Sequence, residues 1–230
     1  MNFVIEQGWA MYWGTSEWNA DEVVEACEVA DRLGLIRPVR PQTDDSLIFV
    51  FVYDTRLTFP SDLDCPSQAF DQTRYNILDR NRVDYNFVNL FKKYNYGVTA
   101  FYALAGGVLT GKYSNGIPEG SRMSVPFFTK MLANGLEEKT AKALQLAEVA
   151  TEVGCSLPQL AIAWSVSNEN VSTVLLGASK IEQLEENLKS LDFVDKITPE
   201  IRAKIDAIAD FKPEVPTIQP LVHQLRQRWL

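Results

Sequence analysis

Apolar positions along this 230-residue chain fall into alternating strand-like and helix-like stretches. Ala10-Met11-Tyr12-Trp13-Gly14-Thr15 reads as a buried strand ending in a turn. Asn19 then stands three residues before Glu22, a capping-box start, and Val23, Val24, Cys27, Ala30 and Leu33 follow at helical spacing up to a C-cap position at Gly34. A second strand is expected over residues 36–42, weakened by Pro38 and Pro41, which remove ladder donors. Residues 79–94 carry Val83, Phe87, Leu90 and Phe91 at helical spacing, with Gly97 closing the helix and a third strand over 98–104.

A loop rich in Gly, Ser and Pro runs to about residue 124, and helices are expected over 139–153 and 158–167. Residues 171–176 form a fourth strand. Ser179 is expected to cap the next helix, with Ile181, Leu184, Leu188 and Leu191 on its buried face, and Thr198-Pro199 starts a last one. Strands alternating with helices imply parallel βαβ units and a right-handed α/β arrangement. Four such strands amount to half of a (β/α)8 barrel.

Length and composition narrow the possibilities. With 46% hydrophobic residues the chain can bury the core of one globular domain, although a complete barrel takes roughly 250 residues. A net charge of −8 argues against general nucleic-acid binding, so any phosphate site must be local. No apolar run approaches the roughly 20 residues of a membrane span, and no secretory leader is visible, so a cytoplasmic protein without direct membrane insertion is expected. Cys27, Cys65 and Cys155 are widely spaced and odd in number, as reduced thiols would be, and the single histidine, His223, excludes a histidine-based metal site or a Ser-His-Asp triad.

Two segments can carry chemistry. Leu176-Gly177-Ala178-Ser179-Lys180-Ile181-Glu182 takes a strand into a helix N-terminus, where free N–H groups and the helix dipole attract anions. Ser179 and Glu182 also satisfy the spacing of a simple capping box, which needs no ligand. Phe101-Tyr102-Ala103-Leu104-Ala105-Gly106-Gly107 through Gly111-Lys112-Tyr113 takes a strand into a glycine loop with a lysine, suited to a pyrophosphate or to a plain tight turn.

These segments, with Gly8-Trp9-Ala10-Met11-Tyr12-Trp13-Gly14-Thr15-Ser16-Glu17-Trp18, Leu157-Pro158-Gln159-Leu160-Ala161-Ile162-Ala163-Trp164 and Glu186-Asn187-Leu188, resemble in order the signature of aldo-keto reductases, on the branch of the voltage-gated potassium channel β subunits. The resemblance spans the chain except for about residues 44–70 and the final dozen. It implies an incomplete (β/α)8 TIM barrel, roughly strands 5–8 with their helices, within one partial reductase domain over 1–230. Residues 44–70 would be an insertion and 213–230 a C-terminal tail.

The resemblance also implies NADPH as cofactor. Ser16 would reach the nicotinamide side and Phe101 would stack on the nicotinamide. Tyr102, Ala103, Leu104, Ala105, Gly106 and Lys112 would hold the pyrophosphate. Arg122, Gly177, Ser179, Gln183, Glu186 and Asn187 would meet the 2′-phosphate and adenine. Gln42 and Gln72 both match the one glutamine that follows strand six. Glu17 stands where close relatives carry arginine and is expected to weaken phosphate binding. Met1-Asn2-Phe3-Val4-Ile5 matches the end of an internal family helix. The first four βα units, which carry the catalytic tetrad, are therefore expected to be absent, and no catalytic residue is assigned to this chain.

Function then reads as the NADPH-binding portion of a protein that reduces aldehydes or ketones by hydride transfer. The alternatives are a non-catalytic redox-sensing subunit resembling channel β subunits, or an inactive truncated product. Expected partners are the nicotinamide cofactor, a carbonyl substrate, and further copies of the chain or a membrane channel subunit.

Overall fold

The computed structural model describes residues 1–10, 13–37, 70–94, 96–126, 128 and 135–216. Its centre is a four-stranded, wholly parallel sheet in the order β1 (Thr15–Ser16), β2 (Phe70–Arg74), β3 (Gly97–Phe101) and β4 (Val171–Val174). Helices α1 (Asn2–Glu6), α2 (Ala20–Leu33), α3 (Val88–Tyr94), α4 (Leu136–Val153), α5 (Leu157–Val166), α6 (Ile181–Leu188) and α7 (Pro199–Ala209) alternate with its strands along the chain. Sequential parallel order with intervening helices is the arrangement that right-handed βαβ crossovers generate.

The sheet is two-faced. Asp71 and Thr73 on β2, Val98 and Ala100 on β3, and Val171 and Val174 on β4 are buried. The register pairs Ser16 with Gln72, Gln72 with Thr99, Arg74 with Phe101 and Thr99 with Thr173, which places a half-exposed, largely polar set on the other face. Beneath the buried face, Leu146, Leu160, Ile162, Trp164 and Ile205 pack into one core with Tyr75, Ile77, Val83 and Phe87. Burial of each such side chain contributes about 1.5–3 kcal/mol relative to exposure.

Several helix ends follow the local chemistry of the sequence. Asn19 and Glu22 form a capping box at α2, and Gly34 ends it at φ 63°. Ser156 and Gln159 form another at α5, and Thr198 caps α7 with Pro199 at its first position.

Other expectations are corrected. The strand beside β1 is Phe70–Arg74, while residues 35–37 are irregular and 38–42 lie outside the described residues. The first strand shortens to Thr15–Ser16 in the described part, with Met11 and Tyr12 outside it. The expected helix over 79–94 opens on a π-helical turn, Arg82–Asn86, and the residues before it form a turn in which Asn76 Oδ1 accepts the N–H groups of Leu78 and Asp79. Gly97 begins β3 rather than closing a helix, and β3 stops at Phe101 because Tyr102 turns the chain at φ 68°. Ile181, Leu188 and Leu191 are exposed, and Leu33 is exposed on α2. Helix α6 instead turns Asn187 inward, tied by Gln159 Nε2 donating to Glu186 O at 3.1 Å.

Candidate functional site

Parallel strands present their C-terminal ends together, and the segments leaving β3 and β4 enclose a cleft of about 770 Å³ there. From the β3 side it is lined by Tyr102, Ala103, Leu104, Gly106, Gly107, Thr110 and Lys112. From the β4 side come Leu175, Leu176, Gly177, Ala178, Ser179, Gln183, Glu186 and Asn187. Gly120, Ser121 and Pro158 complete the lining.

The β3 loop is a short, kinked 3-10 segment, Ala105–Thr110, with Gly106 and Gly107 at positive φ. It is fastened at several points. Leu104 O accepts the N–H of Gly107 at 2.8 Å and of Leu109 at 3.2 Å, and Thr110 Oγ1 donates to Gly107 O at 2.8 Å. Tyr113, buried beneath, donates its hydroxyl to Gly106 O at 3.2 Å. A loop fixed in this way can present backbone to a ligand without reordering.

On the β4 side, Gly177 is exposed, and a Cβ built on it meets nothing within 4 Å. Helix α6 starts at Ile181 with Lys180 as its N-cap residue, and no side chain caps it. Ser179 therefore does not form a capping box with Glu182. Its N–H and its hydroxyl both donate to Gln183 Oε1 at 3.1 Å, since the helix starts one residue later than that box requires. The positive end of α6 is thus left beside the cleft. Among the lining residues Lys112 carries the full positive charge and Glu186 the full negative one.

Ten of the residues assigned from the sequence therefore share one cleft. Ser16, Gln72 and Phe101 lie elsewhere, on the half-exposed sheet face, where Ser16 Oγ donates to Gln72 O at 3.1 Å. Ala105 is buried in the loop outside the lining. Arg122 opens a 3-10 turn, Arg122–Ser124, directly after the lining residues Gly120 and Ser121. Gln42, Cys65 and His223 lie outside the described residues.

Glu17 is held at the end of β2. It sits at φ 59° after β1, away from the cleft lining. Its carboxylate accepts from the Arg74 backbone N–H at 3.0 Å and from Arg74 Nε at 3.1 Å, with Arg82 at 3.9 Å. Its charge is therefore balanced at the β2 end, away from the cleft. Behind it, fully buried Asp71 accepts from the Glu17 N–H at 3.1 Å and the Trp18 N–H at 3.4 Å. Burial raises the Asp71 carboxyl to about 7, with Thr15 and Trp18 hydrogen bonds and the Arg82 charge opposing the rise.

Gly107, Thr110, Gly120, Ser121, Pro158, Leu175, Leu176 and Ala178 line the cleft without having been singled out as site residues. Gly107 was within reach of the sequence, because it follows Gly106 in the glycine loop. Pro158 stands in the motif over residues 157–164 but, like Ser121, reaches the cleft by tertiary packing. No three His, Cys, Asp or Glu side chains gather as a metal site among the described residues.

The cleft sits at the C-terminal ends of β3 and β4, and sequence comparison decides the lineage. The model of the Aldo/keto reductase family matches residues 64–210. This chain belongs to the aldo/keto reductase family. Within that family, a protein of Oryza sativa subsp. japonica described as "Probable voltage-gated potassium channel subunit beta" is 38% identical over 216 residues, 93% of this chain and 57% of the relative. One of Arabidopsis thaliana with the same description is 37% identical over 219 residues, 94% of this chain and 57% of the relative. The chain thus spans somewhat over half the length of these relatives. As an aldo/keto reductase-family chain it carries an α/β fold with a parallel sheet, and no helix among its described residues is long and apolar enough to cross a membrane.

Proposed function

We propose that the cleft binds the adenosine and pyrophosphate portions of NADPH, within a protein that reduces aldehydes or ketones. One observation carries this reading. The segments after β3 and β4, assigned separately to cofactor phosphates and adenosine, line a single cleft that has Lys112 on one segment and the N-terminal end of α6 after the other.

The donor set suits such a ligand. Lys112 offers a point charge for a diphosphate, and the exposed Gly177 lets backbone approach a phosphate closely. Asn187, 5% exposed and on the lining, offers an amide for a base edge. NADPH supplies the hydride when bound. The chain's own part is to hold the phosphate end, while Ser16, Gln72 and Phe101 on the polar sheet face approach the nicotinamide end. We assign proton donation to the carbonyl to no residue of this chain, and we place the protein in the cytoplasm.

A second reading is a regulatory, redox-sensing subunit. It is favoured by the relatives described as channel β subunits, whose similarity runs over 93% or more of the chain. Co-purification with a membrane channel would favour it.

Fluorescence titration of the 230-residue polypeptide with NADPH tests the first reading. The expected dissociation constant is about 10 μM to 1 mM, weak because the nicotinamide side is only partly built. No aldehyde-dependent NADPH oxidation is expected. Turnover abolished by a substitution within this chain would show that the chain carries its own proton donor and would overturn that expectation.

A further inference from the structure

We propose that Gly107 and Tyr113 are positioning residues that hold the Lys112 ammonium at the cleft, an inference that rests on the reading of the cleft as a dinucleotide phosphate site. Lysine on an exposed loop is a flexible side chain, and its charge is diluted over many rotamers unless something fixes it. Here two features do so.

The first is a missing side chain. Gly107 is buried at φ 100°, and a Cβ built on it would lie 2.5 Å from Lys112 Cε and 2.6 Å from Nζ. The end of the lysine therefore occupies the volume that any other residue at 107 would fill. The second is an aromatic face. Lys112 Nζ stands 5.1 Å from the ring centroid of Tyr113, within the range in which a ring quadrupole attracts an ammonium. Tyr113 is itself buried, and its hydroxyl is held by Gly106 O. Thr110 closes the unit, accepting the Lys112 N–H at 3.4 Å while donating to Gly107 O. The ammonium thus rests against the loop whose backbone lines the same cleft, so charge and backbone face a diphosphate from one surface.

Two readouts on the full 230-residue chain separate the placement of Lys112 from the cofactor reading. In carbon–proton NMR spectra, the Lys112 ε-methylene, assigned by its loss in Lys112→Gln, is expected upfield in the ring current of Tyr113. Tyr113→Phe should keep that shift, whereas Tyr113→Leu and Gly107→Ala should abolish it. An unshifted methylene, or one unchanged by Tyr113→Leu, overturns the proposal. NADPH titration then follows a double-mutant cycle. Tyr113→Leu is expected to weaken binding about threefold to fivefold in the native background and not at all in the Lys112→Gln background. Equal losses in both backgrounds would make Tyr113 merely structural and overturn its positioning role. An intact ring-current pattern in a chain that NADPH does not bind overturns the cofactor reading and leaves the placement of Lys112 standing.

Discussion

Burial holds the Asp71 carboxyl at about 7, far above the usual carboxylate range, because the ionised form has lost its water. The folded chain therefore binds a proton that the unfolded chain releases. A raised carboxyl contributes stability that is complete below the unfolded value near 4, and that stability is lost as pH rises through about 7. The cost across this window is on the order of 4 kcal/mol. Asp79 and Asp84, also raised by burial, act in the same direction. Asp71→Asn cannot ionise and keeps an acceptor for one of the two N–H groups, which the two carboxylate oxygens accept separately. It is expected to flatten the fall in unfolding free energy between pH 5 and 7.5, measured by urea denaturation. A variant with the native slope would show that Asp71 titrates normally.

At the scale of elements, helix ends were largely legible in the sequence and β2 was not. Capping uses a side chain within one turn of its target, so Asn19 and Thr198 announce their helices locally. Strand β2 is Phe-Asp-Gln-Thr-Arg, and its buried members Asp71 and Thr73 are polar, so it has no apolar alternation to read. Residues 36–42 drew the strand assignment instead. The exposed Ile181, Leu188 and Leu191 failed for a related reason, because the inward position on α6 is held by Asn187.

The two serines at helix starts now separate capping from ligand binding. Ser156→Ala removes a formed cap and should lower stability by about 1 kcal/mol in thermal or chemical unfolding. Ser179→Ala removes no cap, so stability should change by less than about 0.5 kcal/mol while NADPH binding weakens. Equal destabilisation by both would return Ser179 to a structural role.

For the molecule as a whole, one face of the sheet is buried under helices while the other stays polar and half-exposed, with the cleft at the strand ends. The cleft was traceable from the sequence because its β3 segment carries a glycine loop with a lysine and its β4 segment runs through a glycine into a helix. Residues that reach it only by packing, such as Ser121, leave no such trace. The central claim is that the segments after β3 and β4 form one cofactor site. Backbone amide NMR during NADPH titration to millimolar concentration tests it most directly. Shifts should cluster on Gly106, Gly107, Lys112, Gly177, Ser179 and Asn187, saturate together, and shrink in Lys112→Gln. Shifts confined to one of the two segments, or none at millimolar NADPH, would contradict it.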